Sequence, residues 1–198
     1  MAVRAMSRPD IIDVVAAYVT VAVFYDLSCT TYAEIAQQLI ILESTAALGI
    51  ATIGVLHNIP CCYDLGLDLE RVAEYTKMDK SDVIRLHGER EYTVFAIGFC
   101  PGFPYLGHLP PQLVGVPRLS SPRVRVEAGS VGLTGRQTGI YPLERPGGWS
   151  LIGRTPMELV NVAEAYFPLR AGDRVRFVAI SQAEFARLQG QRLPPASR

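Results

Sequence analysis

The sequence is poor in the residue types that usually build metal and disulfide sites. Its 198 residues include four cysteines and three histidines. The histidines lie far apart, and Cys61 and Cys62 are adjacent, so no Cys-x-x-Cys metal pair and no conventional disulfide framework can be recognised. We therefore predict no metal site and no organic cofactor held by this chain, in a reducing, cytoplasmic environment.

The sequence also lacks an excess of charge of either sign, with 19 basic and 19 acidic residues. Nucleic-acid binding depends on clustered lysines and arginines, so the balance argues against that partner and against an anionic membrane surface. Two apolar runs, at 14–24 and 39–56, are interrupted or preceded by acidic residues and do not match a signal peptide or a bilayer span. We expect neither nucleic acid nor membrane as a partner.

The first part of the chain has an α/β pattern. Alternation over 19–25 predicts a strand, and a second strand is predicted at 50–56. Between them, Thr31 and Glu34 have the spacing of a capping box that opens a helix over 32–43. We predict a small α/β domain over residues 1–58.

The sequence pattern changes in residues 59–198. Asp68 and Asp79 are placed to cap two short helices, and Ser181 opens a capping box for a last one. Glycine and proline punctuate short apolar runs, which is typical of a barrel or a sandwich. The predicted strands are 92–99, 123–126, 130–133, 138–143, 149–153 and 174–180. The expected fold class is α+β, with a β domain following the small α/β one.

Residues 98–106 combine glycines with three aromatic side chains. The glycines would let backbone N–H groups approach a ligand, and Phe103 and Tyr105 would form flat apolar walls. The alternative is a tight turn whose aromatic rings fill the core. The later glycine-rich stretches match neither a P-loop nor a dinucleotide-binding turn.

Arginines are concentrated beside these glycines, at positions 118, 123, 125, 136 and 154. A guanidinium group pairs bidentately with a carboxylate or phosphate, although each arginine has an internal acid as an alternative partner. Alternation places Arg123 and Arg125 on one strand face. Gln137, Thr138 and Tyr141 could orient an amide, whereas Cys100 and Ser130 lack the surroundings of a nucleophile.

His87 lies four residues after Val83 on the apolar face of a predicted helix. A packed histidine is the ordinary interpretation of that pattern, so a catalytic role for this imidazole is the sharper alternative.

Linked motifs in this region resemble a known family. They are Gly-Phe-Cys-Pro-Gly-Phe-Pro-Tyr-Leu at 98–106, Gln-Thr-Gly-Ile-Tyr-Pro at 137–142, and Pro-Gly-Gly-Trp-Ser-Leu-Ile-Gly-Arg-Thr-Pro at 146–156. The chain is similar to the family of 5-oxoprolinase B subunits, which includes allophanate hydrolase subunit 1 and the Kip-type histidine kinase inhibitor.

The resemblance implies a cyclophilin-like β-barrel preceded by a small α/β domain that looks truncated. It implies an enzyme component that works with a carboxyltransferase-type C subunit, together with an A subunit, in ATP-dependent opening of 5-oxoproline, a small cyclic amide, to glutamate. The alternatives are an inhibitor of a sensor histidine kinase and an amidohydrolase subunit of the allophanate hydrolase type. We assign catalytic roles to Arg123, Arg125, Gln137 and His87, and substrate contacts to Phe103, Tyr105, Arg118, Gly132, Tyr141 and Arg154.

Overall fold

A computed structural model of the chain describes residues 8–46 and 54–193. The chain divides into two compact units, residues 1–53 and residues 54–198. The second unit begins a few residues before the boundary expected from the sequence, because the first barrel strand runs across that position. That the first unit is a truncated domain stays a prediction.

The first unit consists of an antiparallel hairpin and one helix. Strands β1 (Ile11–Ala17) and β2 (Thr20–Tyr25) pair with each other, and helix α1 (Tyr32–Ala46) follows. The predicted capping box is confirmed: Glu34 Oε2 accepts the Thr31 N–H at 2.9 Å, and Thr31 Oγ1 accepts the Glu34 N–H at 3.4 Å.

The sequence prediction missed β1, whose apolar residues follow no strict alternation. Most of the strand predicted at 50–56 lies outside the described residues, and the described strand there begins at Leu56.

The second unit is built from nine strands and three helices in its described residues. They are β3 (Leu56–Cys61), α2 (Leu69–Thr76), α3 (Lys80–Gly88), β4 (Glu91–Ile97), β5 (Pro104–Gly107), β6 (Arg123–Val126), β7 (Ser130–Thr134), β8 (Gln137–Ile140), β9 (Arg145–Gly147), β10 (Ser150–Arg154), β11 (Arg174–Ala179) and α4 (Gln182–Leu188).

Seven strands form one sheet that curls almost into a closed barrel. Its order is β10-β7-β8-β5-β4-β11-β3, antiparallel except for the β11–β3 pair. The two edges meet where Cys62, after β3, exchanges backbone hydrogen bonds of 2.8 and 3.0 Å with Arg154 of β10. The predicted α+β chain with a β-barrel in its C-terminal part is confirmed.

The barrel core is apolar and nearly free of solvent. Side chains from opposite parts of the sheet, such as Ile59, Tyr92, Leu106 and Ile140, are 0% exposed. Burial of that extent is the main favourable term for a fold of this size, because each fully buried aliphatic side chain contributes about 1.5–3 kcal/mol. The core therefore gives the surrounding site a rigid support.

Two of the three expected caps in this unit differ from the prediction. The Ser181 capping box forms, and Asp68 and Asp79 occupy the N-cap positions of α2 and α3. Neither aspartate side chain, however, makes a cap hydrogen bond to its helix. For Asp68 the reason is tertiary, as its carboxylate binds two other groups.

Strands β6 and β9 form a separate two-stranded sheet with an irregular register. The irregularity breaks the alternation that the sequence suggests: Val124 is 90% exposed, whereas Val126 is 1% exposed. The prediction that Arg123 and Arg125 share a strand face is therefore wrong, and the two guanidinium groups have different partners.

Candidate functional site

A cleft of about 270 Å³ opens beside the 98–106 segment, and we call it the aromatic cleft. Its lining residues are Phe99, Phe103, Tyr105, Arg118, Pro122, Tyr141, Pro146, Gly147, Gly148 and Trp149. Four of the six predicted substrate contacts, Phe103, Tyr105, Arg118 and Tyr141, lie in it. The sequence prediction missed Phe99 and Trp149, although both stand in the aromatic and glycine-rich motifs.

Phe103 is the centre of the aromatic packing. Its ring centroid lies 4.9 Å from Tyr105, 5.2 Å from Tyr141 and 5.5 Å from Trp149, in edge-to-face geometry each time. Such pairs contribute about 0.5–1.5 kcal/mol each beyond the burial of area. The two alternatives left open for residues 98–106 are therefore both realised, because Phe103 is buried in the packing and still lines the cleft.

Glycines let these rings approach the strands. A Cβ atom on Gly139 would lie 3.0 Å from the Phe103 ring and 3.1 Å from the Trp149 ring. A Cβ on Gly132 would lie 3.1 Å from the Trp149 Cβ. Gly132 is buried in β7 behind Trp149 and does not line the cleft, so the structure gives it a packing role where the sequence suggested substrate contact.

The Tyr141 hydroxyl lies in a mixed environment. Burial raises its pKa, while a hydrogen bond with the Trp149 backbone and the charges of Arg118 and Arg123 act in the opposite direction. Arg118 is exposed and forms no ion pair with the described residues. The cleft thus offers a phenol and an uncommitted guanidinium group next to apolar ring faces.

Arg123 is held by a carboxylate that the sequence suggested as a helix cap. Asp68 Oδ1 accepts Arg123 Nη2 at 2.6 Å, and Asp68 Oδ2 accepts the Leu151 N–H at 2.7 Å. Asp68 is only 6% exposed. The second terminal nitrogen of Arg123, Nη1, is buried and has no hydrogen-bond partner among the described residues.

A second cleft of about 390 Å³, the arginine cleft, is lined in part by residues of β6 and β10. Its lining residues are Asp64, Leu65, Gly66, Leu67, Arg125, Val126, Glu127, Ser130, Leu151 and Arg154. Arg125 Nε lies 2.8 Å from Glu144 Oε2, and Arg154 pairs with Glu127 and donates to the Ala128 carbonyl at 2.9 Å. Arg125 and Arg154 therefore lie apart from the predicted substrate contacts of the aromatic cleft.

His87 is a core histidine. It is 0% exposed, stacks on Phe177 at 4.5 Å, and its Nδ1 and Nε2 lie 2.8 Å from Tyr63 Oη and 2.9 Å from Thr138 Oγ1. Burial lowers its pKa to about 3. Its imidazole lines neither cleft and both of its nitrogens are hydrogen-bonded, so the structure places His87 in the core, and its catalytic role stays a prediction.

The hydrogen-bond directions in this chain of groups are determined. Thr138 Oγ1 donates to the Gly132 carbonyl at 3.0 Å, so its oxygen accepts from His87 Nε2–H, and Nδ1 accepts the Tyr63 O–H. The neutral imidazole therefore ties helix α3 to strands β7 and β8. We consider it a part of the framework beneath the aromatic cleft.

Gln137, the remaining predicted catalytic residue, begins β8. Its backbone pairs with Gly107 and Thr134, and it lines neither cleft.

Burial raises the pKa of the half-buried Cys100 thiol, which does not favour a thiolate nucleophile.

In the described residues, no group of three or more histidine, cysteine or acidic side chains is placed to hold a metal ion. None of the helices in those same parts of the chain combines the length and the hydropathy needed to cross a bilayer.

A family model of the carboxyltransferase domain, subdomains C and D, matches residues 1–168. The chain belongs to this family. A Bacillus subtilis protein named as the B subunit of 5-oxoprolinase is 47% identical over 131 residues, which are 65% of this chain and 54% of that protein. A Haemophilus influenzae protein of the same name is 41% identical over 176 residues, 87% of this chain and 81% of that protein. The resemblance inferred from the motifs is confirmed.

The chain is also similar to solved structures. TTHA0988 is 35% identical with a TM-score of 0.78, and the match covers 98% of this chain and 36% of that one. PH0987 from Pyrococcus horikoshii is 37% identical with a TM-score of 0.62, covering 93% and 85%. Kluyveromyces lactis urea carboxylase, at 17% identity, matches 94% of this chain and 19% of its own with a TM-score of 0.72, which shows the shared fold alone. The chain spans about half the length of the Bacillus subtilis relative.

Proposed function

We propose that this chain is the B subunit of a 5-oxoprolinase complex, which opens the cyclic amide 5-oxoproline to glutamate at the expense of ATP. The observation that carries the proposal is the similarity to proteins of that name, one of which matches 87% of this chain at 41% identity. The complex is proposed to work in the cytoplasm.

The chemistry of the aromatic cleft supports a small cyclic substrate with a carboxylate. Phe103, Tyr105 and Trp149 provide apolar ring faces, and Arg118 provides a guanidinium group that is not neutralised by a neighbouring acid. In this proposal Arg118 pairs with the carboxylate, and the Tyr141 hydroxyl hydrogen-bonds to the substrate. Arg123, fixed by Asp68 and carrying a spare buried donor, strengthens the positive field beside Tyr141.

The chain is proposed to act with a carboxyltransferase-type C subunit, together with an A subunit, while ATP is proposed to be used by the assembled complex. The matching region makes up 36% of the TTHA0988 chain. In that protein the unit is part of a longer polypeptide, which supports the proposal that this chain needs other parts to complete its function.

Reconstitution tests the proposal. The chain is coexpressed with the A and C subunits of the complex, and glutamate release from 5-oxoproline is measured with and without ATP. We expect ATP-dependent release that Arg118→Ala lowers at least tenfold, because the loss of a charge-assisted pair is worth about 1.5–3 kcal/mol.

Arg136→Ala is the matched control, because Arg136 is exposed and lines neither cleft. Release that does not depend on ATP, or equal losses in the two variants, would contradict the proposal. If the chain instead retains a histidine kinase and neither of the other two subunits in a pull-down, the inhibitor function replaces it.

A further inference from the structure

Phe99 has a backbone conformation that glycine adopts more readily. Its φ angle is 66°, in the left-handed region where a side chain is disfavoured. Short hydrogen bonds fix the turn: the Cys100 N–H donates to the Gly98 carbonyl at 2.8 Å, and the Phe103 N–H donates to the Cys100 carbonyl at 3.1 Å. Strained residues of this kind concentrate at functional sites.

The fold buries only a minor part of the Phe99 ring. It is 59% exposed, whereas Phe103 and Tyr141 in the same cleft are 1% and 2% exposed. Its centroid lies 5.4 Å from Phe103 and 6.2 Å from Tyr141, in edge-to-face geometry. The free chain thus carries both the strain of the turn and an exposed aromatic ring at the cleft.

We propose that Phe99 is a substrate-contacting residue that forms the outer wall of the aromatic cleft and packs against the ring of a small cyclic amide. The inference rests on the proposed function. A ligand between Phe99 and the buried rings would remove the exposed face of Phe99 from water. The carboxylate of the same ligand would reach Arg118, which lines the same cleft. Phe99 has no group that exchanges protons, so it contributes to affinity and specificity for a ring.

The test is Phe99→Gly in the reconstituted complex. Glycine removes the ring and relieves the backbone, so we expect the chain to fold, with an unfolding midpoint within about 4 °C of the parent. The KM for 5-oxoproline should rise about three- to tenfold, the size of one aromatic contact, with kcat within about twofold. Phe99→Tyr restores the ring and should return KM to near the parent value.

A second measurement does not need turnover. Binding of 5-oxoproline to the purified chain is followed by fluorescence of Trp149, the single tryptophan, which lines the cleft. Phe99→Gly should raise the dissociation constant by the same three- to tenfold factor, which is the size of one aromatic contact.

The outcomes separate the alternatives. An unchanged KM and dissociation constant overturn the role of Phe99, and so does a variant that no longer copurifies with the other subunits, because Phe99 would then lie at a protein interface. An inactive parent complex overturns the proposed function. The role of Phe99 is then decided by the dissociation constants of 5-oxoproline for the purified parent and Phe99→Gly chains. If the complex is active but the purified chain binds no 5-oxoproline, the KM of Phe99→Gly in the complex decides the role of Phe99. An inactive complex together with a purified chain that binds no 5-oxoproline overturns both proposals.

Discussion

The buried imidazole of His87 should make this protein less stable as the pH falls below neutrality. Its pKa is lowered by burial from the ordinary value of 6.5 to about 3. Between those values the unfolded chain binds a proton at this position and the folded chain does not. Stability is therefore lost as the pH falls from about 6.5 towards 3, and the contribution levels off below that.

The magnitude follows from the linkage between protonation and folding. Each pH unit between the two pKa values costs about 1.4 kcal/mol, so a change from pH 7 to pH 4.5 removes about 2–3 kcal/mol. That figure depends mainly on the pKa of His87 in the unfolded chain, because the imidazole in the folded chain is still neutral at pH 4.5. It is a large fraction of the total stability of a domain, which is about 5–15 kcal/mol.

The assay is urea unfolding at pH 7 and pH 4.5, followed by the fluorescence of the buried Trp149. His87→Gln removes the titrating group, so the variant should lose about 2–3 kcal/mol less stability than the parent between the two pH values. Val83→Ala is the matched control. Val83 is buried on the same helix as His87. Its truncation should lower stability at both pH values without changing the loss of stability between them.

Equal acid-induced losses in the parent and in His87→Gln would refute the reasoning. An NMR titration of the parent gives an independent check that requires no folded variant. The imidazole should keep its neutral Nε2–H form at pH 4.5, as its bonds to Thr138 and Tyr63 require. An imidazole that becomes charged near pH 6 would show that the site is hydrated.

Three further substitutions test the architecture of the site. Gly147→Ala would place a Cβ atom 2.3 Å from the Tyr141 hydroxyl and should cost about 1–3 kcal/mol in urea unfolding, whereas Gly148→Ala meets nothing nearer than 3.6 Å and should leave the free energy of unfolding unchanged. Equal effects of the two alanines would argue against that packing. Asp68→Asn leaves the partly buried Arg123 without its counter-charge and should destabilise the fold by about 1–3 kcal/mol, with no effect expected if that pair is dispensable. Gly153→Ala would put a Cβ 2.6 Å from Cys61 Sγ beside the strand closure and should lower the free energy of unfolding in urea by about 1–3 kcal/mol; an unchanged value would mean that the barrel closes without that contact.

Local signals in the sequence determined the elements that local physics controls. The capping boxes at Thr31 and Ser181 were predictable because a hydroxyl and a carboxylate three residues apart satisfy each other's backbone groups within one helical turn. Short strands separated by glycine and proline indicated a barrel or a sandwich for the same reason, since turn chemistry is also local. The motifs likewise identified the family, which the match to residues 1–168 confirms.

Long-range contacts decided what the polar residues do. Asp68 was expected to cap a helix, yet Arg123 and the Leu151 N–H, both distant in sequence, engage its carboxylate. His87 follows an amphipathic spacing whose ordinary interpretation is a packed histidine, and its contacts with Tyr63 and Thr138 show that the imidazole is packed in the core.

The arginines show the same limit most clearly. The sequence by itself determined that guanidinium groups and aromatic rings are concentrated between residues 98 and 156. The tertiary structure places Arg118 in the aromatic cleft and Arg125 and Arg154 in the arginine cleft. An irregular register in β6 turns Arg123 towards Asp68 and leaves Arg125 with Glu144. A residue type fixes what a side chain can bind, whereas the strand register and the barrel closure fix which partner is within reach.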